Sequence, residues 1–215
     1  ILRRLRNPLQ AVIDQATGDP RTLLPAAAGG GAWLLPSSAR AQGVGAFWTT
    51  DLALRNTGGA AMLTTVKFLG HSGDGRGGPE VEVPLEPGQT RTFADVLGSL
   101  FGLEGDYGPI RVTPTEAGLV VQGQTFTPGG GGTYGQSVPG VAAAGLIGAS
   151  KRTIVGVRQD DRFRTNLMLA NAGESTVEVD VILYPASGGA PLATRRVTVG
   201  PLGFAQLNVL NDLGV

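Results

Sequence analysis

Apolar residues alternate with polar or small residues over most of the chain. Leu52 and Leu54 follow this pattern, as do Val66 and Phe68. A period of two is typical of β-strands that bury one face. Turns rich in Gly, Pro and Asn separate the alternating stretches, and only residues 94–101 have the spacing of a short helix. The pattern therefore predicts an all-β chain.

Two segments of the chain match each other at a constant offset of 115 positions. Residues 48–58 read WTTDLALRNTG, and residues 163–173 read FRTNLMLANAG. Asn56 is matched by Asn171, and the match continues into the next strand. Self-similarity at a fixed period indicates a repeated structural module. The sequence thus predicts two related β-sandwiches in tandem.

The second copy is expected to be incomplete. The first copy continues past its helix with two further strands, at residues 110–113 and 119–127, whereas the second copy stops at Val215, just after the matching helix position. A sandwich without these strands exposes an apolar groove and unpaired strand edges, which soluble proteins avoid. We therefore expect another segment to fill the groove.

The start of the chain has the order of a module's end. Residues 1–6 match the strand at 110–113, and residues 9–15 match the strand at 119–127, with a turn at residues 16–20. This alignment is weaker than the first and needs a short gap. It predicts that the N-terminal segment supplies the strands that the second copy lacks.

Three arrangements of this segment are open. In the first, it fills the second sandwich of a neighbouring molecule, and head-to-tail repetition gives an open filament. In the second, it folds back onto its own chain, and in the third, the chain is part of a longer array of identical modules. The linker at residues 26–31 has six residues. Spanning a domain of roughly 35 to 40 Å needs about 11 to 12 extended residues, so the linker length favours the neighbouring molecule.

The motifs resemble a known kind of module. FWTTDLALRN, ADVLGSLFG and the strand ending in TYGQSVPGV resemble the Ig-like β-sandwich repeats of secreted and surface proteins of environmental bacteria. FRTNLMLANAG and VIDQATGDP resemble the middle and the end of the same module, so the resemblance covers most of the chain. It implies an extracellular β-module and carries no catalytic residue. The assembly is similar to that of donor-strand pili by analogy of mechanism alone.

The predicted fold is two tandem Ig-like or fibronectin-like β-sandwiches. The second sandwich is incomplete and is completed by an N-terminal donor segment. The predicted limits are 1–26 for the donor strands, 27–31 for a flexible linker, 32–140 for the complete sandwich, 141–152 for a second linker and 153–215 for the acceptor sandwich.

Apolar residues are expected to form the interface, because their burial drives strand addition. The predicted donor residues are Ile1, Leu2, Leu5, Leu9, Val12 and Ile13. The predicted acceptor groove is formed by Leu167, Leu169, Val179, Val181, Leu183, Val197, Val199 and Leu207.

Composition narrows the range of partners. The chain has 17 basic and 17 acidic residues, hence a net charge of zero, which gives no basic face for nucleic acid. A hydrophobic fraction of 41% supports a folded core despite 35 Gly and 14 Pro. No apolar run reaches the roughly 18 to 20 residues of a membrane helix. The expected partner is the protein itself, without nucleic acid or a membrane span.

No catalytic, cofactor-binding or metal-binding residue is predicted. The chain has no cysteine and a single histidine, His71, which lies with Ser72 and Asp74 in one loop. A catalytic triad is assembled from separate rigid elements, so this loop is interpreted as a solvated hairpin connection. Asp160 and Asp161 lack the spacing of a calcium loop.

The predicted function is structural and non-enzymatic: a subunit of a pilus-like extracellular filament that polymerises by donating residues 1–15 to the C-terminal sandwich of a neighbour. Three alternatives are kept. The chain is an adhesin or carbohydrate-binding surface module that binds surface glycans through its loops, an accessory domain of a secreted hydrolase, or a fragment of a longer Ig-like array.

Overall fold

Antiparallel strands dominate a computed structural model of the protein, which describes residues 10–23 and 25–215. Strands make up 49% of the described residues and helices 7%, so the all-β prediction is confirmed. In chain order, the elements of the described residues are β1 (Gln10–Ile13), β2 (Pro20–Leu23), β3 (Trp33–Gln42), β4 (Phe47–Asn56), β5 (Met62–Phe68), β6 (Glu80–Leu85), β7 (Thr90–Phe93), α1 (Val96–Phe101), β8 (Asp106–Pro114), β9 (Leu119–Gly129), β10 (Gly132–Pro139), β11 (Val141–Ala142), a 3₁₀ turn (Ala143–Gly145), β12 (Asn166–Ala170), β13 (Val177–Leu183), β14 (Ala193–Val199), β15 (Phe204–Asn208) and α2 (Val209–Leu213).

The described residues divide into two compact units. The first unit contains the described residues up to Phe68 together with Gly78–Leu146, and the second contains Leu69–Gly77 and Ile147–Val215. These limits differ from the predicted ones. The described residues between 10 and 31, predicted as donor strands and a linker, group with the first unit, in which Gly29 N donates to Leu119 O at 3.3 Å. Leu69–Gly77 had been assigned to the first sandwich, and Val141, which pairs with Leu34 of β3, had been assigned to a linker.

The large sheet of the first unit has the strand order β10-β9-β4-β3-β8-β5-β6, with β7 paired to β4 and β11 paired to β3. β3 pairs with β8 from Trp33 to Arg40 and with β4 from Arg40 to Gln42, so it passes from one half of the sheet to the other. In β5 every second residue is buried, as the alternation in the sequence predicts. The two halves therefore enclose one core.

The core of the first unit is built from these inward positions. Leu52 and Leu54 of β4, Val66 of β5 and Val121 of β9 are completely buried. Each such aliphatic side chain contributes roughly 1.5 to 3 kcal/mol of burial free energy. The repeated pattern of inward positions therefore provides most of the stability of this unit.

Helix α1 closes one end of the first core with Val96 and Leu97. It is shorter than the predicted 94–101, because Asp95 has a left-handed backbone with φ 47° and the helix begins only after it. The Asp95 N–H donates to Asp51 Oδ1 at 2.8 Å, which ties the helix start to β4. Gly102, at φ 66°, ends the helix.

Asn56 and Asn171 make corresponding hydrogen bonds, one in each unit. Asn56 Nδ2 donates to the carbonyls of Ala60 and Leu85, and its Oδ1 accepts from Gly58 N. Asn171 Nδ2 donates to Ser175 O, four residues ahead like Ala60, and its Oδ1 accepts from Gly173 N. Buried asparagines therefore fix the turns after β4 and β12 in the same way.

The second unit contains two separate two-stranded ladders. β12 pairs with β15, and β13 pairs with β14. Residues 153–157, at the start of the predicted acceptor sandwich, have no strand structure, and Val155 is 87% exposed. In the first unit β3 is held by β8, and no strand in the described part of the second unit takes the place of β8.

Leu69–Gly77 groups with the second unit because its backbone approaches residues 200–203 closely. Gly75 N donates to Pro201 O at 3.1 Å. A Cβ at Gly203 would overlap the carbonyl oxygen of Gly73. Glycine is therefore required at this contact for reasons of space.

The buried asparagine of the first unit gives a first prediction. We expect Asn56→Ala to lower the free energy of unfolding of the first unit by about 2 to 4 kcal/mol, because it leaves the buried Leu85 carbonyl without this donor. Both tryptophans of the chain, Trp33 and Trp48, lie in this unit. Urea unfolding followed by tryptophan fluorescence therefore measures the change.

The matched control is Thr57→Ala, at the neighbouring exposed position, which removes a hydrogen bond to Gly118 O. We expect it to change the unfolding free energy by about 1 kcal/mol or less. Equal losses in the two variants would contradict the role given to Asn56.

Candidate strand-acceptor site

The predicted acceptor residues lie on all four strands of the second unit. Leu167 and Leu169 are on β12, Val179, Val181 and Leu183 on β13, Val197 and Val199 on β14, and Leu207 on β15. The ladders place Leu167 opposite Leu207 and Val179 opposite Val197. The structure thus pairs four of the eight predicted residues with one another. The other four lie opposite residues outside the predicted set: Ala205, Arg195, Ala193 and Val177.

Most of these side chains are only half-buried. Val199 and Leu207 are 2% and 3% exposed, whereas the other six acceptor residues have intermediate exposure. Val177, which begins β13, is 39% exposed, and Met62 at the matching position of β5 is 3% exposed. The apolar faces in the second unit are therefore covered less completely than the same positions in the first unit.

Two strand edges that are paired in the first unit lack partners in the second unit, within residues 10–23 and 25–215. In the first unit β5 lies between β6 and β8, and β4 pairs with both β7 and β9. β13 and β12 hold the corresponding positions, but β13 pairs only with β14 and β12 only with β15. The unpaired edges are those that β8 and β9 occupy in the first unit.

The donor residues are described only in part. Ile1, Leu2, Leu5 and Leu9 lie outside the described residues. β1 and β2 form an antiparallel hairpin, in which Gln10 pairs with Leu23 and Ile13 with Pro20. We call residues 10–23 the N-terminal hairpin.

Val12 and Ile13 are neighbours on β1, so their side chains point to opposite faces of the hairpin. Val12 is half-buried, and Ile13 is 53% exposed. One strand face can present only one of the two residues to a groove. The strand geometry therefore assigns Ile13, and not Val12, to the exposed face.

Asp14 organises the turn of the N-terminal hairpin. Its Oδ1 accepts hydrogen bonds from Ala16 N at 2.8 Å and Thr17 N at 3.2 Å. The backbone closes the same turn, with Gly18 N donating to Asp14 O at 2.8 Å. This is an Asx-type turn, in which a side-chain oxygen replaces a backbone acceptor.

The same turn binds the hairpin to β10 of the first unit. Asp14 Oδ2 accepts from the N–H and the hydroxyl of Thr133, both at 2.9 Å. Thr17 Oγ1 donates to Thr133 O at 2.7 Å, and Asp19 Oδ2 accepts from Gly135 N at 2.7 Å. We call this set of four hydrogen bonds the hairpin latch.

Ionisation of Asp14 is favoured by these contacts. The hydrogen bond from the Thr133 side chain and those from three backbone N–H groups lower the pKa of Asp14 to about 2. Asp51, on the outward face of β4, shows the opposite effect, because burial raises its pKa while the nearby Arg21 partly opposes the rise.

Sequence reasoning missed the hairpin latch. The stretch Asp14-Gln15-Ala16-Thr17-Gly18-Asp19 carries a recognisable turn signal, in which Asp and Gly favour an Asx turn. Its partner Thr133 lies 119 positions away, and no periodicity in the sequence connects the two. The turn was therefore predictable from the sequence, but its hydrogen bonds to Thr133 and Gly135 of β10 were not.

Asp160, whose sequence context was considered for calcium binding, takes part in a local turn. Asp160 Oδ1 accepts from the N–H groups of Arg162 and Phe163, which shapes a turn and lowers the pKa of Asp160. The described ranges contain no group of three or more His, Cys, Asp or Glu side chains arranged for a metal ion. Neither α1 nor α2 in these ranges has the length and apolar character needed to cross a membrane.

The lowered pKa of Asp14 gives a second prediction. Because the folded pKa is below the ordinary value of 3.8, the latch contribution is fully present above that value and is lost as the pH falls through about 2. The amide NMR signal of Thr133 should therefore titrate near pH 2. In Asp14→Asn this titration should disappear, and a midpoint near 3.8 in the unmodified protein would contradict the assignment.

No family model matches the chain, and no curated protein matches it. The chain is similar to one solved structure, the crystal structure of Thermotoga maritima 1070, at 17% sequence identity and a TM-score of 0.43. The match covers 55% of this chain and 98% of that chain.

Proposed function

We propose that the protein is the structural subunit of an extracellular, pilus-like filament. Each subunit accepts the N-terminal residues 1–15 of a neighbour into its second unit, and the chain polymerises head to tail. The observation that carries this proposal is that β12 and β13 each have an edge without a partner strand among residues 10–23 and 25–215, at the positions that β9 and β8 fill in the first unit. A second copy of the chain supplies strands in the order that these positions require.

Hydrogen bonding and apolar burial both favour occupation of the open edges. Unpaired N–H and C=O groups along β12 and β13 can continue a ladder with an added strand. In the first unit that place is taken by Ile110 and Val112 of β8, which are completely buried. An added strand would cover Leu167, Leu169 and Val181 in the same manner.

The energy available is large enough for a stable junction. A donated strand that buries about 400 Å² of apolar surface contributes about 10 kcal/mol at 25 cal/mol per Å². Ordering of the strand and loss of translational freedom oppose part of this gain. The remainder supports slow dissociation, which a filament requires.

An extracellular location follows from the resemblance to surface modules of environmental bacteria. Only 16% of the residues are charged, below the usual quarter, which is compatible with a surface that is covered by neighbouring subunits.

In a longer Ig-like array, the edges of β12 and β13 would be filled by strands of the same chain. Variants of the donor segment and of the acceptor groove separate that alternative from polymerisation.

The donor side gives a third prediction. We expect Ile13→Asp to slow filament formation by at least about tenfold. A rise of roughly 1.4 kcal/mol in the free energy of donation is enough for a tenfold effect, and burial of a carboxylate in the groove costs more than that. Because Ile13 is 53% exposed in the single chain, the subunit should stay folded. Light scattering and electron microscopy measure assembly.

The matched control is Val44→Asp, which changes an apolar residue that is 78% exposed in the first unit. It should assemble like the unmodified chain. An unmodified chain that stays monomeric at high concentration contradicts the proposed function, and so does assembly of Ile13→Asp at the rate of this control.

A fourth prediction separates donation between molecules from folding back within one molecule. Val181→Asp places a charge in the acceptor groove, whereas Ile182→Asp, one residue along β13, changes a side chain that is 39% exposed on the other face. The first variant should lose polymerisation, and the second should retain it. Circular dichroism checks that both variants fold.

Mixing the donor variant Ile13→Asp with the acceptor variant Val181→Asp should restore one junction. The intact N-terminal segment of Val181→Asp enters the intact acceptor groove of Ile13→Asp, so the mixture forms 1:1 dimers but no filaments. Analytical ultracentrifugation measures this outcome. A mixture that remains monomeric indicates that the segment acts within its own chain or that a longer array fills the edges.

A further inference from the structure

The hairpin latch lies on the outer edge of β10. β10 pairs with β9 on one side, and no strand of the described residues pairs with its other side. Gly140 N donates to Val121 O, and the register of the β9–β10 ladder runs on from this pair without a break. Backbone groups of alternate residues point to opposite edges of a strand. Those of Thr133, Gly135 and Ser137 therefore point away from β9.

Side chains of the N-terminal hairpin take the place of a partner strand along part of this edge. Asp14 Oδ2 accepts from Thr133 N at 2.9 Å, and Asp19 Oδ2 accepts from Gly135 N at 2.7 Å. Thr17 Oγ1 donates to Thr133 O at 2.7 Å. The hairpin thus binds with carboxylates the N–H groups that a partner strand would bind with carbonyls.

The sequence of β10 gives this edge no protection of its own. β10 has eight residues, GTYGQSVP, of which none is charged, and its one proline is the last residue. Tyr134 is also exposed. A long, uncharged edge strand without an internal proline is a site at which another chain can add a strand.

Two other outer strands of the large sheet are protected by their own residues. β6 pairs only with β5 among the described residues, and it carries exposed Glu80, Glu82 and Pro84. β7 pairs only with β4, has four residues and includes Arg91. Charge, proline and short length each hinder strand addition. β10 differs from both strands because its protection comes from a distant segment of the chain.

The latch also places negative charge on this uncharged edge. Asp14 and Asp19 bring two carboxylates to β10, and a second copy in the same arrangement would bring two more. The lowered pKa of Asp14 keeps its carboxylate ionised above a pH of about 2. Like charges that face each other across a strand pair destabilise the pair. The closed latch therefore opposes the approach of two such edges.

We propose that the outer edge of β10 is a pairing surface for β10 of a second copy, and that the N-terminal hairpin covers this surface in the single chain. The inference does not rest on the proposed function. Two identical edges pair antiparallel about a twofold axis, so each supplies the N–H and C=O groups that the other needs. The edges of β6 and β7 hinder pairing, which leaves β10 of the second copy as the matching edge of the large sheet.

Two substitutions open the latch from opposite sides. Asp14→Ala removes its central carboxylate, and Gly132→Ala adds a Cβ that overlaps this carboxylate. The matched controls are Glu104→Ala, an exposed acidic residue outside the strands of the first unit, and Gly59→Ala, where an added Cβ has no atom within 4 Å. All four changes are made in the full Val181→Asp chain, so that pairing of β10 is measured apart from filament formation.

Sedimentation velocity at neutral pH measures association. We expect both latch variants to dimerise, with a dissociation constant at least about tenfold lower than that of the Val181→Asp chain with a closed latch. Both controls should associate no more than that chain. Adding Gln136→Lys, at an exposed position of β10, to the Asp14→Ala chain should restore the monomer, because it places like charges on the two paired strands.

A single thiol identifies the edges that meet. The chain has no cysteine, so Gln136→Cys provides one thiol on β10, and Glu82→Cys provides one on β6. In chains with an open latch, a short thiol-specific cross-linker should join two copies of Gln136→Cys. It should leave Glu82→Cys as single chains.

Latch variants that remain monomeric overturn the inference. Dimers that persist with Gln136→Lys, or that are cross-linked through Glu82→Cys instead of Gln136→Cys, also overturn it, because another surface then forms the contact. Failure of the unmodified chain to polymerise refutes the proposed function alone, since the dimers are measured in a chain with a blocked acceptor groove.

Discussion

The pairing of strand edges is the constraint on which the organisation of this protein depends. A β-strand satisfies its backbone only when each exposed edge meets water or another strand, and an apolar strand face must also be covered. The first unit meets both requirements with β8 and β9. In the second unit, β12 and β13 have open edges within the described residues, and their apolar side chains are only half-buried.

The missing cover also explains the difference between the two starts of the repeat. Trp33 and Leu35 of β3 are buried because β8 pairs with β3 and encloses the core. Ile154 and Val155, at the start of the predicted acceptor sandwich, are 69% and 87% exposed. A β-strand needs a partner strand. Within the described residues, residues 153–157 have no ladder like the one that β8 forms with β3 in the first unit.

Local features of the fold were predictable from the sequence, whereas long-range contacts were not. The period of two identified the strands, and Asn56 and Asn171, which match in the repeat, form corresponding turns, because each side-chain oxygen accepts from the N–H of the glycine two residues ahead. The hairpin latch depends on Asp14 meeting Thr133 across 119 positions, and the placement of Leu69–Gly77 depends on backbone fit. Neither leaves a periodic signal.

Donation between molecules requires that one copy of the chain fills the open edges of another. A cryo-electron microscopy map of the purified protein tests this most directly. We expect helical filaments in which the N-terminal residues of each subunit run beside β12 and β13 of the next subunit. Monomeric particles, or filaments in which these edges face solvent, would contradict it.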